Sequence, residues 1–318
     1  MKVKFKFLCS LLLLVSIIGC TSKDNKKQED VKASEVITDD NVLRDFDRPV
    51  PPVVMTNNQD RAAYMLTHYW DKFNFRDTMY CHAPQITEQA FSNFLNLFPY
   101  STRVKRTEGV KKLMDYAIED VVMYNYFFKM AERYLYDPNS PMRNDEFFIP
   151  FLEHVVSSAK VREEDKIRPR FILNLAYKNR PGEKASNLNY TMYSGQTGTL
   201  YGISAKYTLM MFFNPDCTEC RNVREQIKNS PAITQAISTG NLKVLAVYPD
   251  KDIEMWKKYR EEIPSTWING YDRSLSVREK QTYDLKAIPC LYLLDSTKTV
   301  ILKDAAFTAV NQFFTQNP

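Results

Sequence analysis

The segment Tyr207–Cys220, "YTLMMFFNPDCTEC", most restricts what this chain can fold into. Seven consecutive apolar or β-favouring residues are too few for a buried helix of ordinary length. They suit a strand covered on both faces. Asn214 and Pro215 then break the run, and the following residues, Cys217–Asn229, have helical periodicity. Two cysteines three positions apart therefore sit where a strand hands over to a helix. A strand–turn–helix of this kind calls for a sheet with crossover helices.

The rest of the C-terminal half repeats that alternation. "LKVLAVYP" reads as a second buried strand, preceded by a short helix over Pro231–Ser238. "DIEMWKKYREE" is predicted as a helix, "TWINGYD" as a short strand and "SVREKQTYDL" as a further helix. "CLYLLDSTKTVILKDA" reads as strand, turn and strand, antiparallel because the turn is short, and a closing helix falls near Phe307–Thr315. The fold class expected is α/β: a central mixed sheet, parallel for the most part, flanked by helices.

The N-terminal half differs in texture. From about Asp60 to Arg180 glycine is almost absent and aromatics are frequent. Val110, Met114, Ala117, Val121, Tyr124, Phe128, Ala131 and Leu135 recur at spacings of three and four, which predicts one helix from Thr107 to Tyr136, stopped by "DPNSP". Other helices are predicted near 59–73, 87–98, 142–158 and 161–179. The domains expected are an all-α helical domain of unknown role over 58–180 and an α/β domain over 181–318.

Ahead of both lies an address. Lys2, Lys4 and Lys6 precede "FLCSLLLLVSII", an apolar stretch short for a membrane span, which ends in "IIGC" at Cys20. This resembles the lipobox of bacterial lipoproteins. It implies a signal peptide over 1–19 and lipidation of Cys20, which would anchor the chain to the membrane by lipid. Residues 20–57, polar and then Pro-rich, read as a flexible tether. The localisation implied is the cell envelope of a Gram-negative bacterium, facing the periplasm from the inner or the outer membrane. Losing the three leader lysines lowers the formal charge from +5 to +2. So small an excess, with no aromatic-basic motif, excludes nucleic acid as a partner.

Outside the cytoplasm disulfides persist, so the cysteines gain meaning. Cys81, Cys217, Cys220 and Cys290 remain after the leader and the lipid site are set aside, too few for a disulfide scaffold. Cys217 at a helix N-terminus faces unpaired N–H groups and the positive end of the dipole, which stabilise a thiolate. Cys220 lies one turn on, deeper. One sulfur that attacks and one that resolves is what exchange through a mixed disulfide needs. A zinc clamp would need two more ligands, and His68, His82 and His154 all lie in the N-terminal half. No metal site and no organic cofactor are expected.

"KAIPCLYLLD", about 70 residues downstream, supplies the second element. With "NPDCTEC" it makes residues 181–318 resemble the thioredoxin superfamily, above all its exported, membrane-anchored thiol–disulfide oxidoreductases of the TlpA/ResA kind. The resemblance implies Cys217 as nucleophile, Cys220 as resolving cysteine and Pro289 as the cis-proline. It also implies Ile288 and Cys290 as substrate-binding positions, with Ile288 offering its backbone to an extended chain. Exported thiol or disulfide proteins and a membrane electron donor would be the partners, and reduction of client disulfides the expected direction. Residues 58–180 resemble an uncharacterised helical domain that precedes thioredoxin domains in some lipoproteins.

Three departures stand out. Met211 occupies the place of the buried acid of thioredoxins, Thr218 and Glu219 lie between the cysteines, and residue 290 is a third thiol. Two alternatives therefore stand beside the enzyme: an interaction lipoprotein with a vestigial CxxC, and Cu(I) handling through Cys217, Cys220 and Cys290. Cys81 and His82, being adjacent, point apart and form no natural pair. Trp256, Trp267 and the stripe Tyr124, Tyr126, Phe127 and Phe128 read as packing residues, and Glu254, Glu261 and Glu262 as a solvated face.

Overall fold

The computed structural model describes residues 45–317. The expected signal peptide over 1–19, the expected lipidation site Cys20 and the first part of the expected tether lie outside the described residues. The described residues form one compact unit.

Six α-helices build the N-terminal part: α1 (Asn58–His68), α2 (Thr87–Leu95), α3 (Arg103–Ala117), α4 (Val121–Leu135), α5 (Asp145–Ser157) and α6 (Glu163–Ala176). Caps set most of the starts. Asn57, Thr102, Asp120 and Asn144 each accept a backbone N–H from the first turn of the helix that follows. Asp120 also corrects an expectation. The single helix predicted over Thr107–Tyr136 is two, because the Asp120 carboxylate accepts from both Val122 N–H (2.8 Å) and Met123 N–H (3.0 Å) and starts a new helix. That bend turns Val121, one of the periodic apolar residues, to the surface. The interior is aromatic: Trp70, Phe91, Phe94, Phe98, Phe127, Phe148 and Phe151 are buried together. Within the stretch read as tether, Phe46 packs on these helices, while Val50, Val53 and Val54 stay exposed. Phe46 stacks on Trp70 (centroids 5.5 Å apart) and meets Phe73 edge-on.

The C-terminal part holds a seven-stranded sheet of order β2-β1-β5-β4-β3-β6-β7. Its strands are β1 (Asn189–Met192), β2 (Thr197–Thr199), β3 (Tyr207–Phe212), β4 (Leu242–Tyr248), β5 (Ile268–Tyr271), β6 (Cys290–Asp295) and β7 (Val300–Ala305). Only β3–β4 and β4–β5 pair in parallel; the other four pairs are antiparallel. The sheet is mixed, as expected, but less parallel than the alternation suggested. Helices α7 (Thr218–Asn229) and α8 (Pro231–Ser238) carry the chain from β3 to β4, and α9 (Ile253–Lys258) carries it from β4 to β5. These crossovers return the chain to the same end of the sheet, which parallel pairing requires.

No helix forms over Ser276–Leu285, contrary to the sequence reading. Asp272 is fully buried, and its carboxylate accepts from Ser274 N–H (3.2 Å), Ser274 Oγ–H (2.7 Å), Ser276 Oγ–H (2.9 Å) and Val277 N–H (2.8 Å). The chain winds round that side chain. One helical turn follows, Glu279 N–H to Leu275 carbonyl, and Gln281 at φ 51° ends it. Without a helix between β5 and β6, the chain re-enters the sheet antiparallel to β3.

Alternation along β3, β4 and β6 divides the core. Leu209, Met211, Val244, Ala246, Leu291 and Leu293 face α7 and α10 (Phe307–Gln316). Met210, Phe212, Leu245, Val247, Cys290 and Tyr292 face the other way, covered by Leu188, Leu200, Val277 and Tyr283 from loops and turns.

Candidate active site

Phe213 still donates its N–H to the Val247 carbonyl at the carboxyl edge of the parallel strands. There the chain turns. The Asn214 side chain accepts from Asp216 N–H (3.0 Å) and its carbonyl from Cys217 N–H (3.1 Å), which delivers Cys217 to the start of α7. Cys217 is the N-cap of that helix, and its sulfur accepts from Cys220 N–H at 3.2 Å. The expected position at a helix N-terminus is thus realised through a hydrogen bond between the two motif residues themselves. Cys217 is half-buried at a groove; Cys220 lies beneath it, 3% exposed, with Val223 and Ile227 below. Burial and the neighbouring Cys217 sulfur push the Cys220 thiol well above its ordinary value. The two sulfurs differ in environment as an attacking and a resolving thiol should.

Across the groove, the Ile288–Pro289 peptide is cis. The Ile288 carbonyl lies 3.6 Å from Cys217 Sγ, within reach of a thiol donor. The groove, about 490 Å³, is lined by Asn214, Asp216, Cys217, Met255, Lys286 and Ile288, with Ala287, Leu285 and Arg278 completing it. Arg278 is held to Asp250 at 2.7 Å on its rim. Cys217, Cys220, Ile288 and Pro289, separated by up to 72 positions in the chain, meet in one place.

Cys290 does not meet them. Its side chain points to the opposite sheet face, because alternation on β6 sends Leu291 toward Cys217 and Cys290 away. There its thiol donates to Asp304 Oδ1 at 3.3 Å, and burial with the Asp304 charge pushes its pKa well up. The implied substrate-binding role of Cys290 is therefore corrected as far as its side chain goes, which is a small buried thiol turned from the groove, and a soft-ion site of three thiols has no geometry. Among the described residues no three His, Cys, Asp or Glu side chains are grouped to hold a metal ion.

Sequence reasoning missed what surrounds Cys290. Lys286, Lys303, Asp145, Asp284 and Asp304 are all nearly inaccessible and interlinked. Arg143 joins them through Asp304 at 2.8 Å. Lys286 stands beside the "AIP" motif, but its partner Asp145 is 141 residues away and no local pattern signals the pair. Met211 is buried as expected, with an apolar environment where thioredoxins keep an acid. Cys81 packs against Met123, away from all of this. Trp256 and Trp267 are buried in the same cluster as Cys220.

Residues 19–179, half of the chain, match the model of a domain of unknown function (DUF5106), and residues 204–300 match a thioredoxin-like model. A crystal structure of a thioredoxin-like protein from Bacteroides caccae is 42% identical, covering 87% of this chain and all of that one, with a TM-score of 0.83. The chain belongs to the thioredoxin-like family. Its thioredoxin-like domain alone is matched by the C-terminal domain of an uncharacterized protein from Bacteroides fragilis. That structure is 47% identical over 43% of this chain and 98% of the other, with a TM-score of 0.43. A domain of a possible thiol-disulfide isomerase from Cytophaga hutchinsonii is 27% identical over 44% and 95%, with a TM-score of 0.38. Among curated proteins there is no match. The helical half of this thioredoxin-like protein is thus a DUF5106 domain, and helices α1–α6 are its fold.

Proposed function

We propose that this thioredoxin-like protein is an exported, lipid-anchored thiol–disulfide oxidoreductase that reduces disulfides in other exported proteins. The observation that carries the reading is the Cys217 sulfur, capping α7, 3.2 Å from Cys220 N–H and 3.6 Å from the Ile288 carbonyl. At that cap the sulfur meets the N–H groups of the first helical turn and is open to the groove, as an attacking sulfur must be.

The exchange follows from the two sulfurs. Cys217 thiolate attacks one sulfur of a client disulfide, forming a mixed disulfide and expelling the client's other sulfur as thiolate, which takes up a proton. Cys220, kept protonated by burial, then attacks the Cys217 sulfur and releases the second client sulfur, which leaves as a thiol with the proton that Cys220 gives up. Two electrons pass to the client, and the protein is left with a Cys217–Cys220 disulfide. A membrane-embedded dithiol donor, reached through the Cys20 anchor, would restore it by the same exchange. The groove beside Lys286, Ala287 and Ile288 suits an extended client segment laid along the loop. The leader and "IIGC" support the part of the reading that has the protein exported and anchored, with its chemistry in a compartment where disulfides persist.

The test is the reduction potential of the Cys217–Cys220 couple, read in residues 21–318 by thiol labelling or by fluorescence of Trp256 and Trp267. A value at or below about −250 mV fits a reductase, whereas about −120 to −180 mV would replace it with an oxidant or isomerase. Cys217→Ser abolishes insulin reduction and leaves folding intact; retained activity would sink the enzymatic reading.

A further inference from the structure

The loop that faces Cys217 is anchored from outside its own domain. Residues 286–289 belong to neither helix nor strand; they join a turn-rich segment to β6. Lys286 leaves this loop and buries its side chain to 2% exposure. Its ammonium lies 3.0 Å from Asp145 Oδ1 and 3.2 Å from Oδ2, and 2.6 Å from Asp284. Asp145 is in the first turn of α5, in the DUF5106 domain. Its carboxylate also meets Lys303 at 2.8 Å. Lys303 in turn donates to the Ala176 and Lys178 carbonyls, both at 2.8 Å, where the helical half ends.

The cluster balances three cations, Lys286, Lys303 and Arg143, against three carboxylates, Asp145, Asp284 and Asp304. Burial disfavours the Lys286 ammonium, yet the three carboxylates outweigh it and hold its pKa above the ordinary lysine value. Burial likewise opposes the Asp145 charge, and Lys286 and Lys303 win, lowering its pKa. A buried pair of this kind tolerates little displacement, because moving either partner leaves an uncompensated charge. Lys286 is two residues from Ile288, whose carbonyl meets Cys217 Sγ, and both line the groove.

We infer that Asp145 of the DUF5106 domain is a positioning residue for the disulfide exchange, holding Lys286 and through it the groove-lining segment Lys286–Ile288 against Cys217. The inference rests on the proposed function and gives the helical domain a part in it: the domain sets the shape of the client-binding loop from behind. A purely structural role for the cluster would lower stability without separating one substrate from another.

The experiment compares two substrates in the full chain. A small aromatic disulfide, 5,5′-dithiobis(2-nitrobenzoate), needs only the Cys217 sulfur; insulin must also lie along the loop. Asp145→Asn is made alone and with Lys303→Met, which restores charge balance and guards against misfolding of the single variant. Glu146→Gln serves as a control at the same seam, since Glu146 pairs with Arg180 and not with Lys286. Expected are a small-disulfide rate within about twofold of the original and a KM for insulin raised about tenfold in both Asp145 variants. Glu146→Gln leaves that KM unchanged. An unchanged KM in the balanced variant, an equal rise in Glu146→Gln, or equal slowing with both substrates overturns the inference. If the unaltered protein reacts with neither disulfide, the exchange reading itself fails. Amide hydrogen exchange then decides the positioning alone: the 286–288 amides must speed up about tenfold in the Asp145 variants while those of β3 do not.

Discussion

Removing the Asp272 carboxylate is the sharpest test of why this chain departs from its own periodicity. Oδ1 accepts from Ser274 N–H and Oγ–H, and Oδ2 accepts from Ser276 Oγ–H and Val277 N–H. Serine hydroxyls can rotate to other acceptors, but the two backbone N–H groups cannot move without the loop. Each buried donor left without a partner costs about 1–3 kcal/mol. Asp272→Ala orphans both and opens a small void, so a loss of about 3–6 kcal/mol is expected. Asp272→Asn keeps one oxygen. Whichever way the amide turns, its NH2 faces one of the two backbone donors, so about 1–3 kcal/mol should be lost. Urea unfolding followed by circular dichroism measures both values. A loss below about 1 kcal/mol for the alanine variant, or an asparagine variant as damaging as alanine, would refute the view that one side chain organises residues 272–277.

Further outcomes follow from the same geometry. With iodoacetamide, Cys217 should be alkylated at least about tenfold faster than Cys220 or Cys290 in the native, reduced protein; mass spectrometry of tryptic peptides reads the order, and equal rates would contradict the two sulfur environments. Asp145 has a lowered pKa in the folded state, so its contribution to stability is complete above the ordinary aspartate value of about 3.9 and is lost as pH falls through its folded value. The stability difference between the native protein and Asp145→Asn should therefore close in acid, and urea midpoints at pH 7 and below pH 4 check it. Gly198→Ala would put a Cβ 2.5 Å from the Tyr190 ring, which also lies against Gly270. The sheet edge must give, at about 1–3 kcal/mol, visible as a lower Tm; an unchanged Tm would mean the ring moves freely.

Much of this architecture was legible because its causes are local. The run "YTLMMFF" needs burial on both faces, and a helix begins at Cys217 because a polar turn precedes an amphipathic segment. The closing strand pair is antiparallel because its turn is short. Those rules lead to a mixed sheet with Cys217 and Cys220 at a strand–helix junction, whereas the proline loop opposite was implied only by the family resemblance that "AIP" helps to carry. Helix boundaries were less legible where one capping side chain overrides periodicity. Asp120 divides a helix whose apolar spacing runs straight through it, and Asp272 gathers a segment of helical composition into a loop. In both places a carboxylate satisfies backbone donors that the periodic pattern alone would assign to a helix.

What the sequence by itself determined are those features whose energetics are settled within a few residues: the strands β3 to β7, most helices, the cap position of Cys217 and the deeper seat of Cys220. Only the tertiary structure decided which way the Cys290 thiol points, since that depends on the register of β6 against β3. It alone decided that Lys286 is buried, since a lone buried ammonium would be prohibitively unstable and only the arrival of Asp145, Asp284 and Asp304 makes it tolerable. Charges 141 positions apart leave no mark on local pattern. Folding brings them to within 3 Å, and with that contact a helix of the N-terminal domain reaches the loop beside the candidate nucleophile.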